Sequence, residues 1–208
     1  MQSNLPHAVC WRFLTNPVQT GELILDVGCG KGELMTDLIN QGGMEIGAES
    51  NRNLVNICQS RGLDVREGCA ERLPFSDATF DRIVCSVVVP YTDERLAVAE
   101  WQRVVKAGGR IFATYHGVGY ALNYITNGHS LSKSLYGVKM LLHTFLYWAI
   151  SKRFPSFLGD TLCQGSNRLI LYYKSLGLIL DQEIIPETTL GFPRFICHYL
   201  SKPHTPDD

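Results

Sequence analysis

A short segment of the chain combines three closely spaced glycines with the start of a helical pattern. Residues 24–34 read ILDVGCGKGEL, in which Gly28, Gly30 and Gly32 follow an apolar run. Glycine at these places lets the backbone turn sharply and approach a ligand closely, and a helix N-terminus offers unpaired N–H groups. The segment therefore predicts a binding site for a nucleotide-like ligand.

Two carboxylates accompany this turn. Asp26 lies two residues before the first glycine, and Glu49 ends the next apolar run, 23 residues beyond Asp26. A carboxylate in that position can accept two hydrogen bonds from a ribose diol. Together the two side chains favour an adenosyl ligand with a positively charged end.

A dinucleotide-binding fold is the competing interpretation, because its fingerprint is GxGxxG. In this chain Glu33 stands where that fingerprint has its third glycine, so the pattern is GxGxG. A carboxylate in the first helical turn would repel a pyrophosphate docked on that helix. We therefore expect a ligand without a pyrophosphate. An NAD-dependent oxidoreductase is the alternative that preferential NAD binding would support.

Three further side chains lie where a reacting group would be held. His116 directly follows the predicted fifth strand, and an imidazole there can remove a proton from a substrate hydroxyl near neutral pH. The alternative is a histidine that is exposed or packs against the next segment. Tyr91 and Tyr115, at the ends of strands four and five, are candidates to line a substrate pocket, with ordinary packing as their alternative. No histidine is placed by the sequence to activate Cys29 or Cys69, so we expect both thiols to pack.

These residues require a scaffold of alternating strands and helices. From residue 21 to residue 115, short apolar runs alternate with amphipathic stretches, which is typical of βα units in a parallel sheet. The predicted strands are 23–27, 44–48, 63–66, 80–89, 110–115, 178–185 and 195–200. Helices are predicted after the first, second and fourth strands and over 167–176, and residues 68–79 are predicted to form a loop.

Residues 117–165 interrupt the alternation. This stretch lacks strand character, mixes aromatic and basic residues, and is too long for a bare connection. We interpret it as a helical cap inserted within a single domain that spans residues 1–208. Its run 141–150 is interpreted as a core-facing helix, and the alternative is a surface that touches a membrane or an apolar substrate. The longest apolar stretch, 138–150, is shorter than the roughly 20 residues that a membrane span needs.

Composition and charge narrow the class of partner. The 208 residues include 19 basic and 20 acidic side chains, for a formal charge of -1, whereas a dedicated duplex nucleic-acid binder is usually more basic. The seven cysteines are widely spaced, without a CxxC pair or a cluster at zinc-ligand spacing, which fits reduced thiols in a cytoplasm. We expect a cytoplasmic protein that binds no metal and no nucleic acid. The sequence does not indicate the oligomeric state.

Four segments in order carry a resemblance to a known family. ILDVGCGKG, EIGAES, CAERLPFSDATFD and VVKAGGRIFATY resemble the successive motifs of class I S-adenosylmethionine-dependent methyltransferases, and the likeness is closest to the small-molecule group that includes the ubiquinone and menaquinone biosynthesis enzymes. The resemblance covers residues 20–115. It implies a Rossmann-like α/β fold, with a mostly parallel sheet of seven strands, helices on both faces and an antiparallel last strand. The cofactor would lie across the C-terminal ends of strands one, two and four.

The resemblance also implies roles for individual residues. Asp26 and Gly28 would hold the methionine amino group of the cofactor. Gly30 and Gly32 would permit its close approach. Glu49 would bind both ribose hydroxyls.

At the adenine end, this chain departs from the family pattern. The aspartate that the family commonly uses for the adenine amino group is Cys69 here, so adenine recognition would come from Ala70 and Glu71. Ser86, leaving strand four, would reach the methionyl part by its backbone. Ser50 belongs to the same predicted cofactor-binding set.

The expected function is methyl transfer from S-adenosylmethionine, leaving S-adenosylhomocysteine, to an oxygen or carbon of a small metabolite, sugar or lipid-like acceptor. The text CSVVVPYTD after strand four lacks the NPPY or DPPY motif that accompanies methylation of exocyclic amines. A catalytically inactive cofactor-binding module is the alternative that Cys69 encourages. Contact with a membrane through the cap is not favoured.

Overall fold

The structure is a computed structural model that describes residues 10, 13–15, 17–128, 130–150, 153 and 160–204. Strands alternate with helices along these residues, as the pattern predicts. The strands are β1 (Leu23–Val27), β2 (Met44–Glu49), β3 (Val65–Glu67), β4 (Phe80–Ser86), β5 (Val105–His116), β6 (Ile179–Ile184), β7 (Thr188–Thr189), β8 (Phe192–Pro193) and β9 (Phe195–Ser201). The helices are α1 (Glu33–Asn40), α2 (Arg52–Ser60), α3 (Glu94–Val104), α4 (Val118–Asn127), α5 (Leu131–Ile150) and α6 (Ser166–Ser175), and Val89–Tyr91 form a 3₁₀ turn.

Seven strands form one sheet in the order β3-β2-β1-β4-β5-β9-β6. The pairs among β1 to β5 are parallel, and β9 runs antiparallel to both β5 and β6. The predicted α/β fold, with a mostly parallel sheet and an antiparallel last strand, is confirmed. The short pair β7 and β8 is an addition that the sequence pattern did not predict, because two-residue strands show no periodicity.

Apolar side chains cover both faces of the sheet, since a strand buried on both sides alternates its side chains between them. One face packs against α3 and α6 through a cluster that includes Leu25, Ile83, Trp101, Ile111 and Leu169. The opposite face packs against α1 through a cluster that includes Ile24, Leu38, Val84, Phe112 and Phe195. The predicted helices on both faces are confirmed.

The start of β5 differs from the prediction. The glycine pair that reads as a turn is held inside the sheet, so the strand begins directly after α3 rather than at residue 110. Gly108 donates its N–H to the carbonyl oxygen of Lys202 over 2.8 Å, and the N–H of Lys202 donates to Gly109 over 3.0 Å. A partner far along the chain therefore overrides the local turn signal.

The end of β4 also differs from the prediction. The strand stops at Ser86 instead of residue 89. Val87 adopts a φ of 57°, which breaks the extended backbone, and the 3₁₀ turn follows.

The insertion predicted after strand five is confirmed as α4 and α5. The two helices approach closely at Gly137, where an added Cβ would lie 2.6 Å from the carbonyl oxygen of Ala121. Met140 and Cys163 are buried in the same contact. Within the described ranges, no helix combines the length and apolar character that a membrane crossing requires. The single-domain boundaries and the cytoplasmic location stay predictions.

A buried ion pair joins β4 to the segment before β1. Arg82, whose side chain is 1% exposed, donates from Nε to Glu22 Oε1 over 3.0 Å and from a terminal nitrogen to the carbonyl of Pro17 over 3.2 Å. Its guanidinium carbon lies 4.8 Å from the centroid of the Phe112 ring. Because both charges are withdrawn from water, each depends on the other.

Replacing Arg82 by leucine leaves the Glu22 carboxylate buried without its cation. We expect the free energy of unfolding, measured by urea denaturation at neutral pH, to fall by about 3 kcal/mol. The matched control is Arg52→Leu, which breaks an exposed pair with 3.8 Å between Arg52 Nε and Glu67, and should change that free energy by less than about 1 kcal/mol. Equal effects of the two substitutions would contradict the importance of the buried pair.

Candidate functional site

The loop between β1 and α1 turns on three glycines with positive φ. The angle is 71° at Gly28, 58° at Gly30 and 74° at Gly32, a region that other residues rarely adopt. An added Cβ would lie 2.2 Å from Val88 at Gly28 and 2.4 Å from Leu63 at Gly32, whereas it would meet nothing within 4 Å at Gly30. The positive φ favours glycine at all three positions. An added side chain would also meet Val88 at Gly28 and Leu63 at Gly32, whereas the space at Gly30 is open.

The Glu49 carboxylate at the end of β2 is held by main-chain N–H groups from two directions. Its Oε2 accepts from Gly30 N over 3.0 Å, and its Oε1 accepts from Asn51 N over 2.8 Å. The hydroxyl of Ser50 donates to Oε1 over 3.4 Å. A carboxylate offers about four acceptor positions, so these bonds orient the group and leave acceptor capacity on it.

Asp26 is the next-to-last residue of β1 and lies beside this carboxylate, and its side chain is buried. Burial, and then the neighbouring charge of Glu49, raise the pKa of the Asp26 carboxyl to about 7. A buried carboxylate without a cation is unfavourable, so a positively charged ligand group at this point would stabilise its ionised form.

Two cavities meet at the C-terminal ends of β1 and β4, and Gly28 and Ser86 line both. The smaller has a volume of 270 Å³ and follows the glycine loop to Glu33. The larger has a volume of 390 Å³ and reaches from Glu49 to the 3₁₀ turn. The predicted cofactor residues that line one or both are Asp26, Gly28, Gly30, Glu49, Ser50, Cys69, Ala70, Glu71 and Ser86.

Gly32 is the exception in the predicted set. It lines neither of these cavities, and the side on which it lacks a Cβ faces Leu63. The expectation that Gly32 permits close approach of a ligand stays a prediction. Its absence of a side chain serves the contact between the start of α1 and the chain after α2.

The loop after β3 forms the far wall of the larger cavity. Cys69 is exposed, so the expectation that its thiol packs is wrong, whereas Ala70 is buried. The Oε1 of Glu71 accepts from Asp93 N over 3.0 Å, which ties the loop to the start of α3. The Glu71 side chain thus has a structural partner of its own within the cavity wall.

The prediction that Tyr115 lines a substrate pocket is wrong. Its side chain is fully buried, and its hydroxyl lies 2.7 Å from the hydroxyl of Tyr173. Burial raises the pKa of the Tyr115 hydroxyl well above its usual value. The reason is the parity of the strand: positions 114 and 116 share a face of β5 with Ser86 in the neighbouring strand, and position 115 points to the other face.

His116 and Tyr91 lie at the edge where reaction would occur. The His116 ring is buried and stacks on Tyr120 of the cap, with centroids 3.6 Å apart and planes inclined by 7°. Phe195 lies 5.7 Å away on another side. These contacts agree with the packing alternative, and the catalytic alternative stays a prediction. Tyr91 is 51% exposed and lines the larger cavity.

A third cavity, of 260 Å³, lies beyond the aromatic neighbours of His116. No sequence motif marks it, because its walls come from α4, α5 and the segment before β9. An i, i+4 repetition of tyrosine and asparagine along α4 is the signal that could have indicated it. Its lining residues are Tyr120, Asn123, Tyr124, Asn127, Gly128, Lys133, Arg194 and Phe195.

Comparison with known proteins shows similarity centred on the glycine loop and the first five strands. A family model described as a methyltransferase domain matches residues 25–113. The ubiquinone/menaquinone biosynthesis C-methyltransferase UbiE of Cellvibrio japonicus is 33% identical over 116 residues, which are 49% of this chain and 47% of that protein. The tRNA (carboxymethyluridine(34)-5-O)-methyltransferase of Xenopus tropicalis is 33% identical over 94 residues, which are 43% of this chain and 15% of that protein. The chain therefore spans less than half the length of these relatives.

The fold similarity extends further along the chain. A solved structure described as a SAM-dependent methyltransferase from Methanosarcina mazei covers 91% of this chain and 96% of its own, with a TM-score of 0.70 and 18% identity. The matched domain contains the glycine loop, Asp26 and Glu49. Residues 25–113 therefore match a methyltransferase domain, and the chain shares the fold of this solved methyltransferase structure.

Proposed function

We propose that this chain transfers a methyl group from S-adenosylmethionine to an oxygen or carbon atom of a small-molecule acceptor, leaving S-adenosylhomocysteine. The observation that carries the proposal is the Glu49 carboxylate, oriented by Gly30 and Asn51 at the wall of the cleft. When bound, S-adenosylmethionine supplies a methyl group on a positively charged sulphur, whose bond to the methyl breaks, leaving its electron pair on sulphur, as the bond to the acceptor forms.

The residues around the cleft fit the parts of this cofactor. Glu49 would accept hydrogen bonds from both ribose hydroxyls, because its acceptor capacity exceeds its contacts within the chain. Asp26 would pair with the methionyl ammonium group, because a nearby cation stabilises the ionised form of a buried carboxyl. Main-chain groups of Ala70 would meet adenine, and those of Ser86 would meet the methionyl part.

The acceptor would bind between this cleft and the cap. Tyr91 lines the larger cavity, and Tyr120 lines the third cavity while stacking on His116, so each of these two cavities offers an aromatic side chain to an acceptor. The main tasks of the chain there are to align donor and acceptor and to exclude water. We assign His116 as the group that accepts the proton of an acceptor hydroxyl or acidic carbon.

The charge of the cleft argues against the NAD-dependent alternative. Asp26 and Glu33 line the cavity that follows the glycine loop, so two carboxylates would lie near a pyrophosphate bound there. The same charges disfavour a polyanionic acceptor such as nucleic acid. In the remaining alternative the chain is a catalytically inactive module, because Cys69 prevents productive adenine binding. Measurable methyl transfer to any acceptor would exclude this alternative.

Calorimetric titration with S-adenosylhomocysteine tests the assignment of Glu49. We expect Glu49→Gln to weaken binding by about 1 to 3 kcal/mol, because charge-assisted bonds to the ribose are lost. Glu67→Gln is the matched control, since this residue ends the neighbouring strand and its side chain is 56% exposed. NAD is titrated in parallel, and tighter binding of NAD than of S-adenosylhomocysteine would overturn the proposal.

The pKa of Asp26 predicts a pH-dependent affinity. An ammonium group binds the ionised carboxyl, and a pKa of about 7 means that this form is lost as the pH falls through that value. We expect the affinity for S-adenosylhomocysteine to fall by up to about tenfold per pH unit below pH 7. Calorimetry between about pH 5.5 and pH 7.5 measures the slope, within the range in which an α-amino group stays protonated. Asp26→Asn should bind weakly and remove the slope, and a slope that persists in this variant would assign it to another group.

Replacement of His116 by phenylalanine separates catalysis from packing. The substitution keeps an aromatic ring to stack on Tyr120 and removes both ring nitrogens. We expect kcat, measured as release of S-adenosylhomocysteine with an acceptor found among small hydroxylated and enolic compounds, to fall about 100-fold. The affinity for S-adenosylhomocysteine and the melting temperature should stay unchanged. Full activity of His116→Phe would leave packing as the role of the histidine.

A further inference from the structure

One face of α5 exposes an uninterrupted line of apolar side chains. The spacing along this line alternates between four and three residues, so its members stay on one side of the helix over about 27 Å. The line, named here the apolar stripe, consists of Leu131 (87% exposed), Leu135 (52%), Val138 (49%), Leu142 (47%), Phe145 (67%) and the exposed Ala149.

The stripe is distinct from the face by which α5 packs on the rest of the protein. Gly137, Met140, Thr144 and Tyr147 are buried and occupy the opposite side of the helix. One side of the helix is therefore buried against the rest of the protein, and a second apolar side is exposed to solvent. The interpretation of 141–150 as a core-facing helix describes only the first of these sides. Exposed apolar side chains that line up in this way mark an interaction surface, whereas single ones do not.

The segment of the chain that contains the stripe carries no acidic side chain. From Trp101 to Gly159 the sequence contains no aspartate or glutamate, although the whole chain has 20 acidic residues. The charged side chains of α5 are Lys133 and Lys139, and both are exposed. Lys139 lies about 80° around the helix from the stripe, whereas Lys133 lies on the opposite side. An apolar helix face with a lysine beside it and no carboxylate in its segment matches an anionic lipid surface, in which acyl chains receive the apolar groups and headgroups receive the cation.

We propose that the apolar stripe docks on an anionic lipid surface, with α5 lying in the plane of the interface. This proposal goes beyond the methyl-transfer function and does not depend on it. It reverses the expectation from the sequence, which did not favour contact with a membrane through the cap. A second copy of the chain is the other occupant with matching spacing, because alternation of four and three is that of paired helices. The charges oppose that pairing: the helix offers no carboxylate to face the lysine that borders the stripe, so two copies would bring like charges together.

Co-sedimentation of the full chain with vesicles tests the proposal. Equimolar phosphatidylglycerol and phosphatidylcholine vesicles should pellet the protein at near-physiological salt, and vesicles of phosphatidylcholine alone should pellet much less. Leu142→Glu and Phe145→Ser are each expected to reduce binding to the anionic vesicles about tenfold. Lys139→Gln should reduce it about fivefold, the equivalent of one lysine near such a surface.

The matched control is Leu171→Glu, which alters a leucine of α6 that is 67% exposed and lies outside the stripe. It should bind as the unaltered chain does, and thermal melting followed by circular dichroism shows that each variant is folded. Three results would overturn the proposal: no pelleting of the unaltered chain with anionic vesicles, an equal loss in Leu171→Glu, or a dimer in light scattering that Leu142→Glu converts to a monomer. The last result would assign the stripe to a second copy.

Discussion

The hydrogen bonds of the Glu49 carboxylate are the constraint on which the candidate site depends. One oxygen holds the glycine loop and the other holds the residue before α2, so a single side chain joins the first two βα connections. The loop can meet that carboxylate only because its glycines adopt positive φ and because nothing but hydrogen projects from Gly28 toward Val88. The conformation of the glycine loop and the position of the Glu49 carboxylate therefore depend on each other.

This arrangement concentrates negative charge where the parallel strands end. Asp26 and Glu49 lie at the ends of adjacent strands, and burial leaves Asp26 half ionised near neutral pH. The chain retains an unfavourable charge where it would receive a cationic ligand, whereas it neutralises another deeply buried charge, that of Arg82, with Glu22. A buried charge needs a partner of opposite charge in both cases. The chain itself supplies that partner to Arg82, whereas a ligand would supply it to Asp26.

The sequence predicted the sheet, the cap and the cleft because each depends on local patterns. Apolar periodicity located the strands, and glycines beside carboxylates located the cavity wall. What it missed depends on distant contacts or on strand parity. Lys202 holds Gly108 in β5, which no local signal announces. Tyr115 was misassigned because its face of the sheet depends on strand pairing. Ser86 pairs with Thr114, so the next residue, Tyr115, points to the opposite, buried face. The third cavity escaped because its walls meet only when α4 and β9 fold together.

The antiparallel direction of β9 has a consequence for how such a chain can change over time. Because β9 enters the sheet at the edge where β5 ends, Phe195 is brought beside His116 from nearly 80 positions away in the sequence. The walls of the third cavity thus come from α4, α5 and the segment that leads into β9. The walls of the larger cavity, which include Glu49, come from residues before position 93. Mutations in a duplicated gene can therefore change the walls of the third cavity while the cavity around Glu49 stays intact. New specificities can then arise without loss of the shared donor site.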